Sequence, residues 1–230
     1  MRARTLGVAL LAATLAACDS GGTLASIGRT TADVRVVNAS TTNIDLLQDQ
    51  SLDAGNSAIA FGAGSLCMTV DIVSHGLSVR PAGLHTTSSP LPSFSANERY
   101  VILVTGNGNS LQPVSFRNSF TPATGKAGVR LINISGAGSF DIFVTDPAAA
   151  LGVANASNVA SGAGSTYFNV ATTTQQQVRL TTTGSTVVAF DVGNITLAAG
   201  TRAMVVLAPP AAGATALRTF VFQVPTGGTC

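Results

Sequence analysis

A seven-residue stretch that returns later in the chain constrains the fold more than any other feature. Val34-Arg35-Val36-Val37-Asn38-Ala39-Ser40 reappears as Val129-Arg130-Leu131-Ile132-Asn133-Ile134-Ser135, an offset of 95 positions. The landmarks that follow keep their order: Ile44-Asp45-Leu46 with Phe140-Asp141-Ile142, Gly62-Ala63-Gly64-Ser65 with Gly162-Ala163-Gly164-Ser165, Val79-Arg80 with Val178-Arg179, and Arg99-Tyr100-Val101 with Arg202-Ala203-Met204. The offset drifts only from 95 to 103, as loop insertions would cause, so the economical reading is two copies of one unit.

Each copy holds short runs of Val, Ile, Leu, Phe and Thr broken by Gly, Asn, Pro or Ser, and no apolar pattern of helical period persists beyond two turns. Val34 and Val36 alternate with Arg35, and Phe140, Ile142 and Val144 alternate with Asp141 and Thr145, the period of half-buried strands. About six or seven such strands per copy predict an all-β chain: two tandem Ig-like antiparallel β-sandwich domains. The repeat places them at residues 32–124 and 125–225, with a C-terminal tail at 226–230. Asn38-Ala39-Ser40 and Asn133-Ile134-Ser135 end their strands with side chains able to bond their own backbone, and the Gly-Ala-Gly-Ser segments read as hairpin turns. The second copy's core is expected to contain Val129, Leu131, Phe140, Ile142, Val178, Leu180, Val205 and Leu207, and its length suits a monomer that folds alone.

Ahead of the repeat, Arg2 and Arg4 precede an apolar run from Leu6 to Ala13, too short to span a bilayer. The run leads into Leu15-Ala16-Ala17-Cys18, which is similar to the bacterial lipobox: a branched apolar residue, two small residues and the cysteine whose thiolate takes a diacylglyceryl group. Residues 1–17 are therefore expected to be a cleaved lipoprotein signal peptide, Cys18 the lipidation site, and residues 18–31 a flexible Gly-, Ser- and Thr-rich tether. Several acyl chains anchor durably at about 0.8 kcal/mol per buried methylene. The expected location is the cell envelope, in either membrane leaflet.

The Val-Arg-Val-Val-Asn-Ala-Ser opening, the Ile-Asp-Leu strand and the later Val-Arg strand resemble the bacterial domain-of-unknown-function family 4397 over roughly residues 32–225. The resemblance implies an exported, often tandem, Ig-like protein and carries over no catalytic residue. Thr41-Thr42-Asn43 stands where the family has a turn rich in Pro and Asp, and Cys67 stands where the second copy has Tyr167.

Charge narrows the function classes. Removing Arg2 and Arg4 leaves ten basic against ten acidic residues, so the mature chain offers no field for nucleic acid. The two histidines, His75 and His85, lie in turn or loop sequence without a Gly-x-Ser-x-Gly elbow, which argues against serine hydrolysis. Cys67, Asp71 and His75 are spaced four apart, about 13 Å between neighbours on a strand, too far to converge on one zinc ion. Asp45, Asp49 and Asp53 lack a calcium-loop pattern, and Lys126, the only lysine, lacks the glycines of a phosphate loop. With no Trp, and Tyr167 in strand-like sequence, an aromatic sugar platform is disfavoured. Cys67 and Cys230 leave open a disulfide or a buried free thiol, the thiol being the preferred reading. No catalytic residue, metal ligand or cofactor is expected, and no ligand-binding residue is identified. The expected role is a non-enzymatic structural or adhesive envelope module, with a glycan- or peptide-binding lipoprotein as the alternative.

Overall fold

A computed structural model describes residues 30–52, 54–73, 76–85, 88–172 and 174–224. The signal segment with Cys18, together with Asp53, His75 and Cys230, lies outside the described residues.

The first half contains β1 (Thr31–Asn38), β2 (Ile44–Gln48), β3 (Ser51–Leu52), β4 (Met68–Asp71), β5 (Leu77–Pro81), β6 (Ser89–Pro90), β7 (Arg99–Asn107) and β8 (Ser110–Arg117). These form two sheets, ordered β4-β1-β7-β8 and β3-β2-β5-β6. The second half contains β9 (Lys126–Asn133), β10 (Phe140–Thr145), β11 (Ala156–Val159), β12 (Ala163–Gly164), β13 (Phe168–Ala171), β14 (Gln176–Thr182), β15 (Val188–Ile195), β16 (Arg202–Ala208) and β17 (Arg218–Val224). Its sheets run β12-β9-β16-β17, with β13 also on β9, and β11-β10-β14-β15. The central strands of the two halves follow the same order: β9 stands where β1 stands, β10 where β2, β14 where β5, β16 where β7 and β17 where β8.

The fold is all-β, as expected, and its sandwiches are antiparallel apart from one pairing in each half. β1 pairs β7 in parallel, Val36 opposite Ile102, and β9 pairs β16 in parallel, Leu131 opposite Val205. Parallel strands are covered on both faces in native sheets, and their sequences become continuously apolar. Residues Tyr100 to Val104 and Ala203 to Ala208 are such runs, and all of them are buried.

Inside each sandwich the alternating residues meet. Val34 and Val36 from β1 pack with Ile44 and Leu46 from β2, Val79 from β5 and Ile102 from β7. The eight residues expected in the second core all lie in its cluster. A third cluster, absent from the sequence expectation, joins the halves: Val37, Val101 and Leu103 from one sheet pack against Ile132, Ile134, Met204 and Val206 from the other. The four sheets thus stack as four layers, outer, inner, inner, outer, with apolar packing between every adjacent pair.

Candidate functional site at the junction of the two halves

The polar residues that recur in both halves bond to backbone. Asn38 donates through Nδ2 to the carbonyls of Thr42 and Ile59, each at 2.8 Å, while its Oδ1 accepts from the amide and hydroxyl of Ser40. Asn133 does the same with Gly138 and Val159 at 2.8 and 2.9 Å and with Ser135. The hydroxyls of Ser65 and Ser165 accept the amides of Val36 and Leu131, so they replace ladder bonds. Asp45 accepts the amides of Ala58 and Gly83 and stands 3.5 Å from Arg80 Nε; Asp141 accepts those of Asn158 and Gly184. A carboxylate already filled by N–H donors is a loop clamp, and that is the role of the first calcium candidate.

The remaining candidates are dispersed. Asp49 sits in a left-handed turn at φ 50°, Asp71 accepts the Val73 amide, and His85 and Lys126 are exposed. Among the described residues no group of three His, Cys, Asp or Glu side chains converges as a metal site. Cys67 is disulfide-bonded, which corrects the preferred free thiol. It is only half-buried and directly precedes the edge strand β4, so the residue is not enclosed in the core.

The groups brought together are those at the junction, and they are reciprocal. Arg35 of β1 lies over the ring of Phe222 in β17, 5.8 Å from its centroid, and Arg130 of β9 lies over Phe116 in β8 at 5.9 Å. Phe116 stands opposite Val101 and Phe222 opposite Met204, equivalent places in their sheets. Each half lends an arginine to the other's phenylalanine, the arrangement of a two-fold interface within one chain.

The Gly-Ala-Gly-Ser segments belong to the same contact. Gly62 and Gly162 do make turns, with φ of 76° and 81°, but Gly64 and Gly164 bridge to β1 and β9. A methyl group at Gly64 would stand 2.7 Å from the Phe222 ring, whereas at Gly164 its nearest neighbour, in Phe116, is at 3.4 Å. Gly64→Ala is therefore expected to lower stability by about 1–3 kcal/mol, and Gly164→Ala by less than about 0.5. Urea midpoints of the two variants check this, and equal midpoints would remove the steric argument.

One side of the junction opens into a cavity of about 530 Å³ lined by Glu98, Arg117, Ser119, Phe120, Arg130 and Tyr167 among others. Arg130 is 6% exposed and donates to the Arg117 carbonyl at 2.8 Å, while among the described residues its Nε has no hydrogen-bond partner. Its guanidinium lies 4.6 Å from the Tyr167 centroid, and Phe120 stacks on Tyr167 at 4.8 Å. Arg130 and Phe120 thus both pack on the partly buried Tyr167 ring. Its hydroxyl bonds Asn118 Oδ1. Burial raises the Tyr167 phenol above its ordinary value, although Arg130 and Arg202 pull the other way. Arg202, 4% exposed, donates to the Asn118 carbonyl. Burial pushes both guanidiniums below the usual arginine value; Tyr167 opposes this at each.

These arginines escaped the sequence reading because each sits in strand alternation, where a charge reads as solvent-facing. The available signal was Arg35 and Arg130 recurring at one repeat position in a chain only 10% charged.

Residues 32–143 match the model of the family described as Domain of unknown function (DUF4397), which supports the family resemblance over that span. No curated protein matches. Among solved structures, a family CBM26 carbohydrate-binding module from Eubacterium rectale, crystallised in complex with maltoheptaose, is similar at 12% identity and a TM-score of 0.27; the alignment covers 85% of this chain and 99% of that one.

Proposed function

We propose that this chain is a lipid-anchored cell-envelope module without catalytic activity, built from two copies of one β-sandwich and acting in structure or adhesion. The observation that carries the reading is the use of the recurring polar residues: Asn38, Ser65 and Asp45, like Asn133, Ser165 and Asp141, hold loops and strands in place and leave no reactive group aimed at a substrate. The four-layer stack favours the structural role, because the apolar inner faces of the two halves are packed against each other and hold the halves together. The lipobox-like sequence at Cys18 and the neutral mature chain supply the anchor and the absence of a nucleic-acid partner.

The anchor is testable directly. Labelled fatty acid is expected to enter the wild-type chain and to be lost in Cys18→Ser, with the variant leaving the membrane fraction. Equal labelling of both would refute lipidation at this residue. For the role itself, cross-linking in intact envelopes is expected to fix the protein to discrete envelope components. Turnover of an envelope substrate by the purified chain would instead make it an enzyme. The alternative, a ligand-binding lipoprotein, takes its specific support from the junction cavity.

A further inference from the structure

The cavity beside Arg130 has an unbalanced charge. Arg117 and Arg130 line it, with Arg202 behind them close enough to interact with both Arg130 and Tyr167. Among the described residues, no carboxylate lies within ion-pairing distance of Arg130 or Arg202. Buried charges in native proteins are paired or bound to counter-ions, because an isolated ion in a low-dielectric interior is strongly disfavoured. The Arg117 carbonyl and the rings of Tyr167 and Phe116 offset part of that penalty for Arg130 but bring no negative charge. Among the described residues the one carboxylate lining the cavity, Glu98, is already engaged: it stands 3.7 Å from Arg117 and accepts the Ser119 hydroxyl at 2.7 Å.

The rest of the wall is hydroxyl and ring. Ser165 and Thr166 line the cavity with Ser119, and Phe120 closes one side. Hydroxyls and backbone suit a ligand that is itself rich in hydroxyls, and a guanidinium holds a carboxylate through charge-assisted bonds. We propose that this cavity binds an acidic saccharide, a uronate-type sugar whose carboxylate approaches Arg117 and Arg130 while its hydroxyls meet Thr166 and donate to the remaining acceptor positions of Ser119 and Ser165, whose own protons are held by Glu98 and the Thr166 carbonyl. The site exists only where the two halves meet, since Glu98, Arg117, Ser119 and Phe120 come from the first half and Arg130, Ser165 and Thr166 from the second. The inference rests on the alternative, ligand-binding reading and names its ligand class; the structural reading does not depend on it.

Calorimetric titration of the full mature chain with digalacturonate tests it. Saturable binding is expected, weakened by added salt and lost with the dimethyl ester of the same sugar. Arg117→Gln, at an exposed position, should weaken binding about tenfold, and Glu98→Gln should tighten it. A role for these two residues in stability alone would move the melting temperature without giving opposite changes in affinity. The proposal is overturned if the folded protein shows no binding at about 10 mM sugar. It is equally overturned if the ester binds as tightly as the acid, if neither variant changes affinity, or if a short acidic peptide binds better than the sugar.

Discussion

Residues 127–226 expressed alone are expected to self-associate rather than remain monomeric. The length and alternation of the second half suit an independent fold, and its inner core is complete by itself. Yet the other face of β9 and β16 carries Ile132, Met204 and Val206, all 0% exposed in the full chain and covered by the first half. A fully buried side chain of this kind is worth about 1.5–3 kcal/mol, so baring these three forfeits roughly 5–9 kcal/mol. The reciprocal contacts offer the fragment a way to recover it: a second copy would set Arg130 over Phe222, as Arg35 is set over Phe222 in the whole chain. Sedimentation of the fragment at increasing concentration should show a monomer–dimer equilibrium or aggregation. A monomer that melts cooperatively at every concentration would show that the third cluster is dispensable. In the intact chain, Val206→Asp buries an unpaired carboxylate in the same layer and should lower the unfolding free energy by at least about 3 kcal/mol. Urea denaturation of that variant gives an independent reading of the same contact.

Asn133→Ala is expected to destabilise the chain by about 3 kcal/mol, and Asn38→Ala by a similar amount. Each asparagine is 0% exposed and makes two donor and two acceptor bonds, linking the end of an inner strand to carbonyls of two other segments. Alanine would leave the Gly138 and Val159 carbonyls, and the Ser135 hydroxyl, short of a partner in the interior. Each unsatisfied buried group costs about 1–3 kcal/mol. Guanidinium unfolding of the two variants should show losses that match within about 1 kcal/mol, because the two networks match bond for bond. A loss below about 1 kcal/mol at either site would mean that water replaces the amide there.

Much of each half was legible in the sequence because the signals concerned are local. Alternation of Val34, Arg35 and Val36 assigns one face of β1 to a core, and the Asn-x-Ser ending assigns the turn, since both depend on residues within a few positions of one another. The parallel pairing of β1 with β7 was less visible. The run from Tyr100 to Val104 is apolar throughout, and a continuous run does not say which of its faces meets which partner.

The site at the junction was not legible, and the reason is the same physics at longer range. Arg130 and Phe116 meet because two sheets stack, and nothing within several residues of either encodes that stacking, whereas Tyr167 reaches Arg130 across the pairing of β13 with β9. An arginine in a strand reads as a surface residue by its charge, yet its long apolar stem and flat guanidinium let it lie buried across an aromatic ring. The sequence by itself determined the all-β class, the inward faces of the central strands and the turn role of Asn38 and Asn133. Only the tertiary structure decided that the second faces of the inner sheets cover each other. Face-to-face packing joins residues about a hundred positions apart through shape complementarity, which local periodicity does not record.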